Sequence, residues 1–173
     1  MTSGTERKKQ DIQTIAATTP LQQGILVHAL ERGADDPYYY QWGFELEGAL
    51  DVAALGRAWQ STVDRHDGLR ADYRWEETET PVQVVYRTRP VQIEALDYRA
   101  LPASEQRQRV RALMLAERHA SFDFRQAADL RLRLIQVEAQ KHWLLWSYHH
   151  IALDGWSIGL VLRDVLEDTN YLS

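Results

Sequence analysis

The sequence predicts an α/β protein in which helices pack on a mixed or largely antiparallel sheet. Three observations carry this. Apolar residues recur at helical spacing in some segments and alternate in others. The two kinds of segment are interleaved without a strict strand-helix-strand alternation. The short link Glu138-Ala139-Gln140-Lys141 joins two strand-like stretches as a hairpin would. A length of 173 residues with 45% apolar content is enough for one domain with its own core.

Residues 1–10 are polar, with a charged Glu6-Arg7-Lys8-Lys9 cluster, and read as a flexible tail or a docking segment. From Pro20 to Arg32, Leu21, Ile25, Leu26 and Leu30 lie on one helical face, and Gly33 is a stop signal. Asp35-Asp36-Pro37 marks a turn, and the aromatic-rich run from Tyr38 to Leu46 reads as a strand. Asp51 caps a helix bearing Val52, Leu55, Trp59 and Val63, which ends near Arg65-His66-Asp67-Gly68. Leu69 to Trp75, Val82 to Tyr86 and Val91 to Leu96 are strand candidates. Pro102 opens a long helix to about Ala120. Leu130, Leu132 and Leu134 alternate with Arg131 and Arg133, so Leu130 to Val137 is a strand, and His142 to Tyr148 is its hairpin partner. Gly155 to Glu167 is the last helix, with Ile158, Val161, Leu162, Val165 and Leu166 on one side.

Bulk properties narrow the function. The net charge of -5 argues against a nucleic-acid partner, which needs a basic face. The chain has no cysteine, so disulfides and thiolate metal sites are excluded. No apolar run reaches the roughly 20 residues that span a bilayer. No charged stub followed by an apolar core marks a signal peptide. A soluble cytoplasmic protein without a membrane partner is the expectation. No glycine-rich phosphate loop is present, and the histidines lack metal-ligand spacing, so no metal is expected.

One segment outweighs the rest: Trp146-Ser147-Tyr148-His149-His150-Ile151-Ala152-Leu153-Asp154-Gly155-Trp156-Ser157. Two adjacent histidines stand between an apolar strand and a new helix. Histidine titrates near physiological pH and suits proton transfer. Neighbouring residues at a strand end point to opposite sides, which argues against joint metal binding by the pair. Asp154-Gly155-Trp156-Ser157 is a strand-to-helix corner at which glycine would supply backbone freedom.

This segment resembles the HHxxxDG motif of the condensation domains of nonribosomal peptide synthetases, within the chloramphenicol-acetyltransferase-like superfamily. Thr19-Pro20-Leu21-Gln22-Gln23-Gly24-Ile25-Leu26 resembles the family's opening motif. Arg65-His66-Asp67-Gly68-Leu69-Arg70 resembles its RHExLR motif, with Asp67 where Glu is commoner. The similarity runs from about Asp11 to the end.

The resemblance implies a two-lobed sandwich of which residues 11–173 are the N-terminal lobe, the second lobe being absent. It implies peptide-bond formation between a donor acyl or peptidyl thioester and the amine of an acceptor aminoacyl thioester. Both would arrive on phosphopantetheine arms of upstream and downstream peptidyl carrier proteins, with no bound cofactor. His150 is the expected catalytic residue, as general base or as a group that positions the amine. His149 would support the loop. Asp154 would be a buried carboxylate paired with Arg65 or Arg70, Arg65 being preferred. Gly155 would be a backbone requirement. Trp156, Ser157 and Gln23 are candidates for the substrate tunnel, Trp156 also as a packing anchor under the loop.

The opening motif and the run from Glu47 to Leu55 look most like the subtype that takes a D-configured donor. Residues 1–10 would contact an upstream synthetase protein. The lone lobe should fold but be inactive, because the tunnel lies between lobes. Two other readings are a free-standing acyltransferase of the superfamily and a non-catalytic domain that recruits carrier proteins.

Overall fold

A computed structural model describes residues 11–76, 78–126 and 130–169. The elements run β1 (Ile12–Ala17), α1 (Pro20–Arg32), β2 (Tyr39–Glu47), α2 (Val52–Arg65), β3 (Ala71–Arg74), β4 (Val82–Tyr86), β5 (Ile93–Asp97), α3 (Ala103–His119), β6 (Leu130–Glu138), β7 (Lys141–His149) and α4 (Gly155–Asp168). They build two sheets. One has the order β2-β7-β6-β5 and the other β1-β4-β3. All pairs are antiparallel except β5 with β6, so the larger sheet is mixed, as expected.

Local chemistry sets the helix starts. Thr19 accepts from Gln22 N while the Gln22 side chain accepts from Thr19 N, a reciprocal cap that satisfies two donors of α1. Asp51 accepts from Ala54 N at the start of α2. The hairpin β6–β7 turns through Ala139-Gln140, as its polar link suggests.

The larger sheet is covered on both faces. Leu132 and Leu134 of β6, with Leu144, Trp146 and Tyr148 of β7, pack under Leu55, Trp59 and Val63 of α2 and Val161 and Val165 of α4. On the opposite face Ile135, Val137 and Leu145 pack with Val110 of α3. Trp59 and Trp146 meet edge to face with centroids 5.2 Å apart, a contact worth about 1 kcal/mol beyond its buried area. A second core joins α1 to the smaller sheet through Ile25, Leu26, Tyr73, Val85, Phe122 and Phe124. Ile151, two residues beyond β7, is buried in that second core. The histidine segment therefore crosses from one sheet to the other.

One expectation needs correction. A 3-10 turn covers Asp67–Arg70, so the strand expected from Leu69 begins only at Ala71. Strand β1 carries no signal in the sequence, because all but its first residue are exposed and its partner β4 lies about 70 residues away. The expectations for residues 1–10 lie outside the described residues. Among the described residues no helix is long and apolar enough to cross a membrane.

Candidate functional site: the histidine corner

Strand β7 ends at His149, and α4 begins six residues later at Gly155. Alternation along the strand sends the two rings to opposite sides. His149 is fully buried among Phe124, Phe122 and Tyr38. Its Nε2 lies 2.6 Å from Asp36 Oδ2, and its Nδ1 accepts from Ile151 N at 3.1 Å. Burial pushes its pKa below the ordinary histidine value, the Asp36 carboxylate opposing.

His150 is half-buried beside the edge of Tyr40, 4.4 Å between centroids, and near Tyr148 at 5.9 Å. Its backbone N donates to Tyr38 O on β2's leading turn. Its Nδ1 lies 2.6 Å from Leu153 O. A carbonyl oxygen only accepts, so Nδ1 carries the proton in the neutral ring and Nε2 holds the free lone pair. An imidazole in this tautomer can take a proton at Nε2.

The corner is fixed mainly through Ile151. Its carbonyl accepts from Tyr73 Oη at 2.9 Å and from Gln22 Nε2 at 3.2 Å. Gln22 thus caps α1 and grips the histidine corner at once. Gln23 was the tunnel candidate in this motif, but Gln23 Nε2 donates to Thr18 O. Nothing in the sequence separates the two glutamines except that Gln22 stands three residues after the capping threonine.

Asp154 departs from expectation. It is exposed, and its carboxylate accepts from Ser157 N at 2.8 Å as the N-cap of α4. The Ser157 backbone N–H, with the Ser157 side chain, holds its pKa below the usual carboxylate value. Neither arginine meets it. Arg65 Nη2 pairs with Asp168 Oδ2 at 2.5 Å. Arg70, 3% exposed, pairs with Asp67 and donates to Val63 O, Tyr86 O and Arg87 O. It ties α2 to β4 instead. The expected salt bridge fails because the carboxylate finds an orphan helix donor at shorter reach.

The Arg65–Arg70 segment nonetheless touches the corner and the last helix. His66 Nε2 lies 2.8 Å from Asp164 Oδ2, and that contact lowers the Asp164 pKa. A Cβ on Gly68 would lie 2.9 Å from Ala152 O, so the backbones meet there without room for a side chain.

Two further expectations change. Gly155 has no positive φ, and a Cβ on it would meet open space, so its backbone does not demand glycine. Trp156 is 89% exposed and anchors nothing beneath the loop. Ser157 is half-buried in the first turn of α4, its N held by Asp154. A cavity of about 360 Å³ is lined by Val110, Met114, Val137, Trp143 and neighbours on the α3 side of the larger sheet, away from His150.

Fold and site together define an α/β unit organised around a histidine pair at a strand-to-helix corner. The chain belongs to the condensation-domain family of nonribosomal peptide synthetases: the family model described as Condensation domain matches residues 12–170. A linear gramicidin synthase protein of Brevibacillus parabrevis is 37% identical over 161 residues, which are 93% of this chain and 3% of that protein. Tyrocidine synthase 2 of the same organism is 32% identical over 158 residues, 91% of this chain and 4% of that protein. The chain therefore spans only a few per cent of these relatives. Among solved structures, the EpoB NRPS cyclization-docking bidomain of Sorangium cellulosum is 25% identical with a TM-score of 0.76, covering 91% of this chain and 31% of that one. The starter condensation domain of the rhizomide synthetase RzmA, as a mutant, shares the fold with a TM-score of 0.79 at 20% identity, covering 92% and 38%.

Proposed function

We propose that this chain is the N-terminal lobe of a condensation domain that forms amide bonds in nonribosomal peptide synthesis. The observation that carries the reading is His150, whose Nδ1–H is committed to Leu153 O and whose Nε2 is left with a lone pair at the start of α4. The amine nitrogen of the acceptor attacks the donor thioester carbonyl. His150 Nε2 takes the proton that the amine loses, or holds the amine in line. The tetrahedral intermediate collapses, the carbon–sulfur bond breaks, and the proton passes from the imidazolium to the departing thiolate. Amide and free thiol are the products, with no net proton change. The Gly155 N–H, which the Asp154 carboxylate does not take, is a donor suited to the developing oxyanion.

His149 serves the loop, not the chemistry. Asp154 acts as a cap that holds α4 behind His150. Trp156, exposed beside Ser157, is the natural tunnel wall once a second lobe covers it. The substrates ride on the phosphopantetheine arms of upstream and downstream carrier proteins in the cytoplasm, and the donor residue is D-configured. Residues 1–10 dock to an upstream synthetase protein. The lobe by itself is inactive, because half of its tunnel belongs to the other lobe.

The test uses the two-lobed domain with donor and acceptor carrier domains loaded with aminoacyl-pantetheine. Condensed product is followed by intact-protein mass spectrometry, with L- and D-donors compared. His150→Ala in folded protein should slow product formation by about 10²- to 10⁴-fold. Equal rates in both proteins would remove His150 from the mechanism. Absence of product from the unaltered domain with every donor would point to a recruiting role instead.

A further inference from the structure

Asp36 lies in the turn between α1 and β2, more than a hundred residues from the histidine pair in sequence. It is buried. Both of its carboxylate oxygens are used. Oδ1 accepts from Tyr38 N at 2.9 Å, and Oδ2 meets His149 Nε2 at 2.6 Å. His149 in turn accepts from Ile151 N through Nδ1, and Tyr38 O accepts from His150 N. The backbone groups on either side of the His150 side chain, its own N–H and that of Ile151, are thus both referred back to this one carboxylate.

We propose that Asp36 is a positioning residue for His150, acting by locking His149 as the Nε2–H tautomer. The inference rests on the amide-forming reading above. Ile151 N–H can donate to Nδ1 only if Nδ1 is unprotonated, so the neutral ring must carry its proton on Nε2. A group that only accepts must then face Nε2. A carboxylate does so while its second oxygen serves Tyr38 N. The lock needs a site dry enough to keep the ring neutral, and Phe122 and Phe124 stand with their rings edge-on to His149. The arrangement resembles the carboxylate that orients a triad histidine, but here the oriented ring is one residue away from the ring with the free nitrogen.

Asp36→Asn separates this role from simple packing. A carboxamide has the same size but one oxygen. If that oxygen faces Tyr38 N, its NH₂ opposes His149 Nε2–H, and the ring must switch tautomer and break with Ile151 N. If it faces His149, Tyr38 N loses its acceptor. Asp36→Glu keeps an acceptor-only group.

The experiment is two-bond ¹⁵N–¹H correlation of ¹⁵N-histidine-labelled two-lobed domain, with His149 assigned by substitution, beside steady-state amide formation. Unaltered protein should show His149 as Nε2–H. Folded Asp36→Asn should show either Nδ1–H at His149 or an upfield-shifted, fast-exchanging Tyr38 amide. Its kcat should fall about tenfold or more, as when a histidine is held in the wrong tautomer, with KM little changed. Asp36→Glu should recover the Nε2–H signal and part of kcat. Nδ1–H in the unaltered protein overturns the lock, and that reading needs no variant to fold. An unchanged kcat in Asp36→Asn with the tautomer switched overturns the positioning role. Unaltered protein that shows Nε2–H yet makes no amide overturns the functional reading while supporting the lock.

Discussion

The two sheets of this molecule are held by different means. In the larger one, β6 and β7 are sandwiched between α2 and α4 on one face, where apolar side chains form the core, and α3 on the other, where buried Glu117 reaches Ser147 and Arg133 beside the apolar residues. In the smaller one, β1 turns most of its side chains to solvent and is held by its pairing with β4. Its neighbourhood depends on polar ties: the buried Arg70 guanidinium on the carbonyls of Val63, Tyr86 and Arg87, the Arg89 guanidinium on Leu69 O, and the Thr18 hydroxyl on Pro81 O. The α2–α4 face of the larger sheet rests on volume, whereas the smaller sheet joins its own apolar core to side-chain ties on backbone carbonyls. The histidine corner starts in the first and ends in the second.

Three substitutions or conditions press on that difference, from the largest effect to the smallest. Trp146→Ala empties the centre of the larger sheet opposite Trp59 and should cost about 4 kcal/mol of unfolding free energy. Urea unfolding measures it. A loss near 1 kcal/mol would mean that α2 and α4 collapse into the space and that the volume argument is wrong. Arg70→Met keeps the bulk in the smaller sheet but leaves three carbonyls without their donor, and should cost about 3 kcal/mol. A neutral result would show that backbone pairing alone holds β4 in place.

The third concerns pH. Burial holds the rings of His149 and His142, both on β7, below the ordinary histidine value of 6.5. Below that pH the unfolded chain binds more protons than the folded one. The stability that the neutral rings contribute is complete above about pH 6.5 and is lost as the pH falls through the folded values. The urea midpoint should therefore drop between pH 7 and pH 5, and His149→Gln should flatten the slope. A midpoint independent of pH in the unaltered chain would place these rings in wetter surroundings than the larger sheet provides.

Legibility in the sequence follows the same division. The larger sheet and its helices announce themselves, because burial on one face imposes a period: Leu130, Leu132 and Leu134 alternate, and Leu55, Trp59 and Val63 repeat at helical spacing. The helix start at Asp51 is visible because a short polar side chain satisfies an orphan donor locally, whereas the caps at Thr19 and Asp154 emerge only from the structure. Strand β1 is silent, since a strand exposed along its length carries no burial pattern and its partner is remote. The histidine pair was legible as a motif, and the opposite facing of its rings followed from strand geometry. The partners were not. Asp36 reads as one more turn residue before Pro37, and only the fold brings it to His149. The Asp154–Arg65 pairing is what the family resemblance implies, yet the helix end claims the carboxylate and Asp168 takes Arg65.

The close approach at Gly68 has a consequence for how the corner could be tuned. A Cβ on residue 68 would press on Ala152 O at 2.9 Å, and that peptide lies midway along the chain between His150 and the cap of α4. Residue 68 is a mechanical spacer for the corner. An alanine there would act as a wedge, pressing a methyl group on the loop that follows His150 while adding no donor, acceptor or charge to the corner.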